Sequence, residues 1–175
     1  MSAWQFDVSH TVFGFSVRHL VVGRVSGRFR RFEGSFEVDP AMPQNARAVV
    51  TIDAASVDTI DEKRDGHLRS ADFFDVENHP KITFESSRVD AAPGGHYTLH
   101  GRLTIRGITH DVTLDVESLG VMTDPWGGVH AVFTVVGTLE RERWGLKWNQ
   151  PLSAGGMLVS DRVGLAIEVQ LSPKT

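Results

Sequence analysis

Eight histidines are the first residues in this chain that could do chemistry, as metal ligands or as acid and base groups near neutral pH. They stand at His10, His19, His67, His79, His96, His100, His110 and His130, and no two of them form a helical pair with an adjacent glutamate. His10 and His19 are nine residues apart, so on one regular strand they face opposite ways. Surface or hydrogen-bonded structural roles are therefore expected, and no metal site. Nucleophiles are equally sparse. The chain has no cysteine, and Ser153 and Ser160 lie in a glycine-rich turn region without a G-x-S-x-G elbow. Asp61, Glu62, Asp65 and Asp72 alternate with Lys63, Arg64 and Arg69, the pattern of a solvated, ion-paired helix face. The pairs Gly94-Gly95, Gly127-Gly128 and Gly155-Gly156 suit hairpin turns and lack the strand-loop-helix setting of a phosphate cradle. No catalytic residue and no cofactor is expected.

What remains is apolar capacity, with ten Phe and four Trp in 175 residues. A chain of this length fits one domain, taken here as residues 1–175, and buries about 70% of the surface its unfolded form exposes. With 18 Lys+Arg against 22 Asp+Glu the net charge is -4, which gives little support to binding driven by counterion release from nucleic acid. The N-terminal stretch Met1 to Asp7 lacks a basic segment followed by an apolar one, so a cytoplasmic location is expected, with a periplasmic or secreted one if a leader has been removed. Nowhere are there the roughly 18 successive apolar residues of a transmembrane helix, so stable membrane insertion is not expected.

These residues must be positioned by strands. Phe13, Phe15, Val17 and His19 alternate with Gly14, Ser16 and Arg18, which places the aromatics on one buried face. Val25, Gly27 and Phe29 give way to Phe32, Gly34, Phe36 and Val38, and this change of parity predicts a bulge or bend at Arg30-Arg31. Proline ends the run within Asp39 to Pro43. Further alternating or apolar runs cover residues 46–52, 82–86, 97–105, 112–116, 129–139 and 163–171. About eight short strands with intervening turn signals favour an antiparallel barrel or sandwich. Residues 56–74 break the rhythm: they are charged, rich in helix formers and offer Asp61 and Ser70 as N-caps, which predicts one or two short helices across a barrel opening. No internal repeat or linker is evident. Composition does not decide whether the aromatics fill a solid core or line a cavity, because an eight-stranded barrel is wide enough for either.

Four ordered blocks carry more information. Asp7 to His19, with Val25 to Phe29 and Phe32, resembles the N-terminal signature of the YceI-like family. Asp65 to Asp75 with His79 to Ser86, Gly101 to Gly107, and Arg141 to Leu146 with Val159 to Val163 are similar to its second, third and fourth blocks. The resemblance spans nearly the whole chain. It implies an eight-stranded antiparallel, lipocalin-like barrel with a helix near the mouth, an elongated cavity for a polyisoprenoid or related long-chain amphiphile, no metal and no catalytic residue. Thr11 stands where the first block usually has Ser, and Trp144 where the fourth usually has Phe, a change that bears on cavity length. Many members carry an export leader, which this sequence does not show.

The expected function is non-catalytic binding, storage or transport of a polyisoprenoid, an isoprenoid quinone or a fatty-acid-derived chain. Phe13, Phe15, Val17, Phe29, Phe32, Leu68, Phe74, Phe84, Leu103, Phe133 and Trp144 are the candidate wall, and His19 and His67 complete the ligand-binding set. Discrimination among head groups falls to the mouth, where His19, Arg24, His67 and Arg69 are candidates. Gly27, Gly101 and Gly107 are expected to permit bends or close packing. Asp65, His67 and Arg141 are expected to latch the helical segment to the barrel. The rivals are a barrel enzyme acting on isoprenoid-type compounds through His10, His19 or His67, and a solid module that binds a protein through a strand edge. Exposed edges also suggest a homodimer.

Overall fold

The computed structural model describes residues 2–39 and 41–175. Eleven strand segments follow one another as β1 (Ser2–Phe6), β2 (Val12–His19), β3 (Gly23–Phe29), β4 (Phe32–Val38), β5 (Arg47–Asp53), β6 (Val57–Asp58), β7 (Lys81–Ala92), β8 (His96–Ile105), β9 (Ile108–Thr123), β10 (Val129–Glu140) and β11 (Val159–Pro173). One helix, α1 (Glu62–Arg69), lies between β6 and β7. All pairing is antiparallel, and β1 joins both β4 and β11, which closes the sheet.

Eleven segments make eight staves because three staves are broken in mid-course. β1 and β2 together line β11, β3 and β4 continue one another, and β5 and β6 lie along them. The break between β3 and β4 falls at Arg30-Arg31, where the parity of the sequence changes. Buried Ser56 repairs the ladder there, accepting from Arg31 N–H at 3.0 Å and donating to Asp53 O at 2.6 Å. Between β1 and β2 the buried Thr11 hydroxyl does the same against Gln170, donating to its carbonyl at 3.2 Å and accepting from its N–H at 3.1 Å. Serine offers the same hydroxyl, so the Thr11 departure leaves that repair intact.

Local chemistry sets the other features. Asp61 caps α1 by accepting from Arg64 N–H at 3.0 Å. Ser70 is its C-cap and not an N-cap, and the chain after it turns without forming a second helix, so the segment holds one helix preceded by the short β6. β7 extends past Ser86 because a bulge between Ser86 and Arg88 resets its parity, which the alternation alone does not follow. Each of the eight staves is paired on both sides over part of its length, and residues 23–27 of β3 and 88–92 of β7 are paired on one side only, which leaves short edges at these two places. No helix among these residues is long and apolar enough to cross a membrane.

Candidate ligand-binding site

Two packed clusters lie toward the two ends of the barrel. Trp4, Phe36, Val38, Val50, Ala131 and Leu171 pack at the end formed by β1 and the β7–β8 hairpin, and Phe73, Ile82, Ile105, Val112, Trp144 and Leu146 pack under α1. Between and along them runs a cavity of about 920 Å³. Phe15, Val17, Phe84, Leu103, Val163 and Leu165 all line it yet remain only half-buried. In a closed barrel such exposure comes from inside, because the opposing walls do not meet.

Twelve of the thirteen expected ligand-site residues line this space: Phe13, Phe15, Val17, His19, Phe29, His67, Leu68, Phe74, Phe84, Leu103, Phe133 and Trp144. Phe32 does not. The ring of Phe6, on a strand the alternation did not reveal, packs over it edge-to-face with centroids 5.2 Å apart, and Phe13 covers it at 4.7 Å. Much of the remaining wall comes from Leu99, Leu114, Val135, Leu139, Leu165 and Ile167, which sequence reasoning did not single out although they share inward parity on β8 to β11. Glycine at two positions lets the wall aromatics lie flat. A Cβ on Gly101 would sit 2.4 Å from the Phe84 ring, and one on Gly27 would sit 2.6 Å from the tip of Phe15. Neither glycine reaches the cavity surface, and nor does Gly107.

Polar lining is confined largely to the mouth. His19 from β2 lines it together with Thr59, Asp61, Lys63, Arg64 and His67 from the crossing into α1, and Asp61 and Lys63 are exposed to solvent. Arg24 and Arg69 do not line it: Arg24 is exposed on the outer hairpin, and Arg69 Nε donates to Ala55 O at 2.9 Å. Asp65 is buried and accepts from Thr59 N–H at 2.9 Å and Thr59 Oγ1 at 2.6 Å. Arg64 Nε donates to the same hydroxyl at 2.7 Å.

The expected three-residue latch is not formed as such, since Asp65, His67 and Arg141 have different partners. Arg141, 4% exposed, donates to the carbonyls of Ser160 (2.9 Å), Leu146 (2.6 Å), Trp148 (3.0 Å) and Val159 (3.4 Å). Burial lowers its pKa from the usual arginine value, and Asp161 and Glu142 oppose that shift. The contact between helix segment and barrel loop is instead aromatic. Trp148 meets His67 at 4.6 Å and Phe73 at 5.6 Å, and the Arg141 guanidinium lies 5.9 Å over Phe73. Trp144 is fully buried and its Nε1–H donates to Leu103 O at 3.0 Å, so this indole is a fixed part of the cavity wall.

Five of the histidines have hydrogen-bond partners of their own. Asp72 meets His67 Nε2 at 2.8 Å, Asp90 meets His100 at 2.9 Å, Asp124 meets His130 at 2.9 Å, and His110 Nε2 donates to Arg143 O at 2.8 Å. Ser9, His10 and Asp7 lie together, but Ser9 and Asp7 contact the same ring nitrogen, Nδ1, at 3.1 and 2.9 Å. A triad needs them on opposite nitrogens, and His10 does not line the cavity. Among the described residues no three His, Cys, Asp or Glu side chains form a group that could hold a metal.

A closed eight-stranded barrel around an apolar chamber with a polar mouth belongs to the lipocalin-like class of ligand-binding folds. The YceI-like domain model matches residues 4–171, and the chain belongs to that family. It is 36% identical over 173 residues to a UPF0312 protein of Staphylococcus epidermidis, covering 98% of each chain. Among solved structures it is similar to BcnA of Burkholderia cenocepacia, with TM-score 0.81, 25% identity, and 94% of this chain and 98% of that one covered. It shares the fold of a polyisoprenoid binding domain from Saccharophagus degradans at TM-score 0.68 and 15% identity, with 99% and 100% covered.

Proposed function

We propose that this protein holds one long-chain apolar lipid, a polyisoprenoid or isoprenoid quinone before a fatty-acid-derived chain, and stores or carries it without transforming it. The observation that carries this reading is the 920 Å³ chamber with its apolar wall. The Saccharophagus domain, described as polyisoprenoid binding, supports the ligand class. The tail fills the barrel and the polar end lies among His19, Thr59, Lys63 and His67. Each methylene withdrawn from water contributes about 0.8 kcal/mol, so one five-carbon unit contributes roughly 4 kcal/mol before ordering costs. Wall contacts of this kind select length and branching, and the mouth selects the head group.

The test is native mass spectrometry with organic extraction of the purified protein. A co-purifying long-chain species is expected, as is uptake of added isoprenoid by delipidated protein. Protein that is empty as isolated and takes up no added isoprenoid refutes the proposal.

A further inference from the structure

The turn joining β2 to β3 carries side chains that both its backbone and its surroundings disfavour. Leu20 and Val21 have φ of +53° and +69°, a left-handed conformation that suits Asn and Gly and is exceptional for a β-branched residue. Yet Leu20, Val21 and Val22 are 52%, 56% and 87% exposed. Neither folding nor solubility explains apolar residues there. The turn is tied to the loop before β11, where Leu20 N–H donates to Leu158 O at 2.9 Å, and Gly156 lies beside Val21. Half-exposed Met157 follows in that loop. Together these residues form an apolar cap beside His19 and Leu158, which line the cavity.

The charges carried by the cap's own two segments have one sign, with Asp61 and Asp161 as the acids at its border. Residues 18–24 and 145–160 contain Arg18, Arg24 and Lys147, all exposed, and no Asp or Glu, in a chain whose net charge is -4. Exposed aliphatic side chains flanked by cations on the same segments match an anionic bilayer surface, whose headgroups attract the cations while the interface accepts the apolar tips. We propose that Leu20, Val21, Val22 and Met157 dock on an anionic lipid membrane and bring the cavity mouth to it. The docking is peripheral and holds whichever lipid fills the cavity, so it stands or falls separately from the proposed cargo.

Co-sedimentation of the whole protein with phosphatidylcholine vesicles, with and without a minority of phosphatidylglycerol, tests this. Binding to the mixed vesicles is expected, at least about tenfold weaker on phosphatidylcholine alone because each cation near an anionic surface is worth roughly fivefold. Leu20→Asn/Val21→Gly supplies the residues the turn conformation favours, so it keeps or raises the thermal midpoint while vesicle partitioning falls about tenfold or more. Val22→Asp, at the exposed tip, reads the same loss should the double variant fold poorly. Wild-type protein that ignores both vesicles overturns the proposal. Variants that bind as tightly as wild type, or a membrane association that requires a second polypeptide, overturn it too.

Discussion

Replacing Leu165 with tryptophan separates a chamber from a packed core. Leu165 points inward on β11, opposite Phe15 on β2 and Gly137 on β10, and belongs to neither packed cluster. In a well-filled interior, enlarging a side chain this much costs about 1–3 kcal/mol through strain. Here the indole enters the open chamber, past the Leu114 side chain that fills the space over Gly137, and folding stability should change by less than about 1 kcal/mol. The ligand meets the opposite outcome. The added bulk is on the order of one isoprene unit, so it removes up to about 4 kcal/mol of buried hydrocarbon, a loss of affinity approaching a thousandfold. Urea unfolding of the delipidated protein reads the first quantity, and retention of extracted or added isoprenoid reads the second. Destabilisation beyond about 2 kcal/mol would show that the interior is packed at Leu165. Stability and retention both unchanged would show that the lipid does not traverse the middle of the barrel.

Trp144→Ala removes the one fully buried indole and its bond to Leu103 O, and should cost about 3–5 kcal/mol in urea unfolding. Arg141→Met keeps the stem but removes the side-chain donor from the carbonyls of Leu146, Trp148 and Ser160, while Val159 O keeps its bond from Asn149 Nδ2 at 2.6 Å. It should destabilise by about 3 kcal/mol or more, and hydrogen exchange should show loop 145–158 opening before the barrel. Asp124 accepts from the His130 ring and from the backbone of Gly128 and Trp126, and these bonds hold its carboxyl below the usual range. Its folded pKa is the lower one, so the stabilisation is complete above the unfolded value of about 3.9 and is lost as pH falls through the folded value. A carboxyl titration by NMR should find Asp124 still ionised where an unperturbed aspartate is half protonated, and a midpoint at or above that value contradicts the assignment.

The sequence by itself determined what depends on neighbours in the chain. Period-two alternation identifies Phe13, Phe15 and Val17 as one inward face, the parity change marks the break at Arg30-Arg31, and Asp61 ahead of Glu62 to Arg69 specifies a capped helix. These features rest on interactions a few residues long. The short β1 and β6 have too few residues to establish a period, so Phe6, and with it the covering of Phe32, escaped notice. The partners of Arg141 in the expected hydrogen-bonded or ionic latch were not legible, because they are backbone carbonyls that no residue type announces. Only the tertiary structure decided that the interior is open. Whether ten phenylalanines fill a barrel or line it depends on the ring's radius, and that follows from closing eight staves through pairings such as Thr11 with Gln170, 159 residues apart.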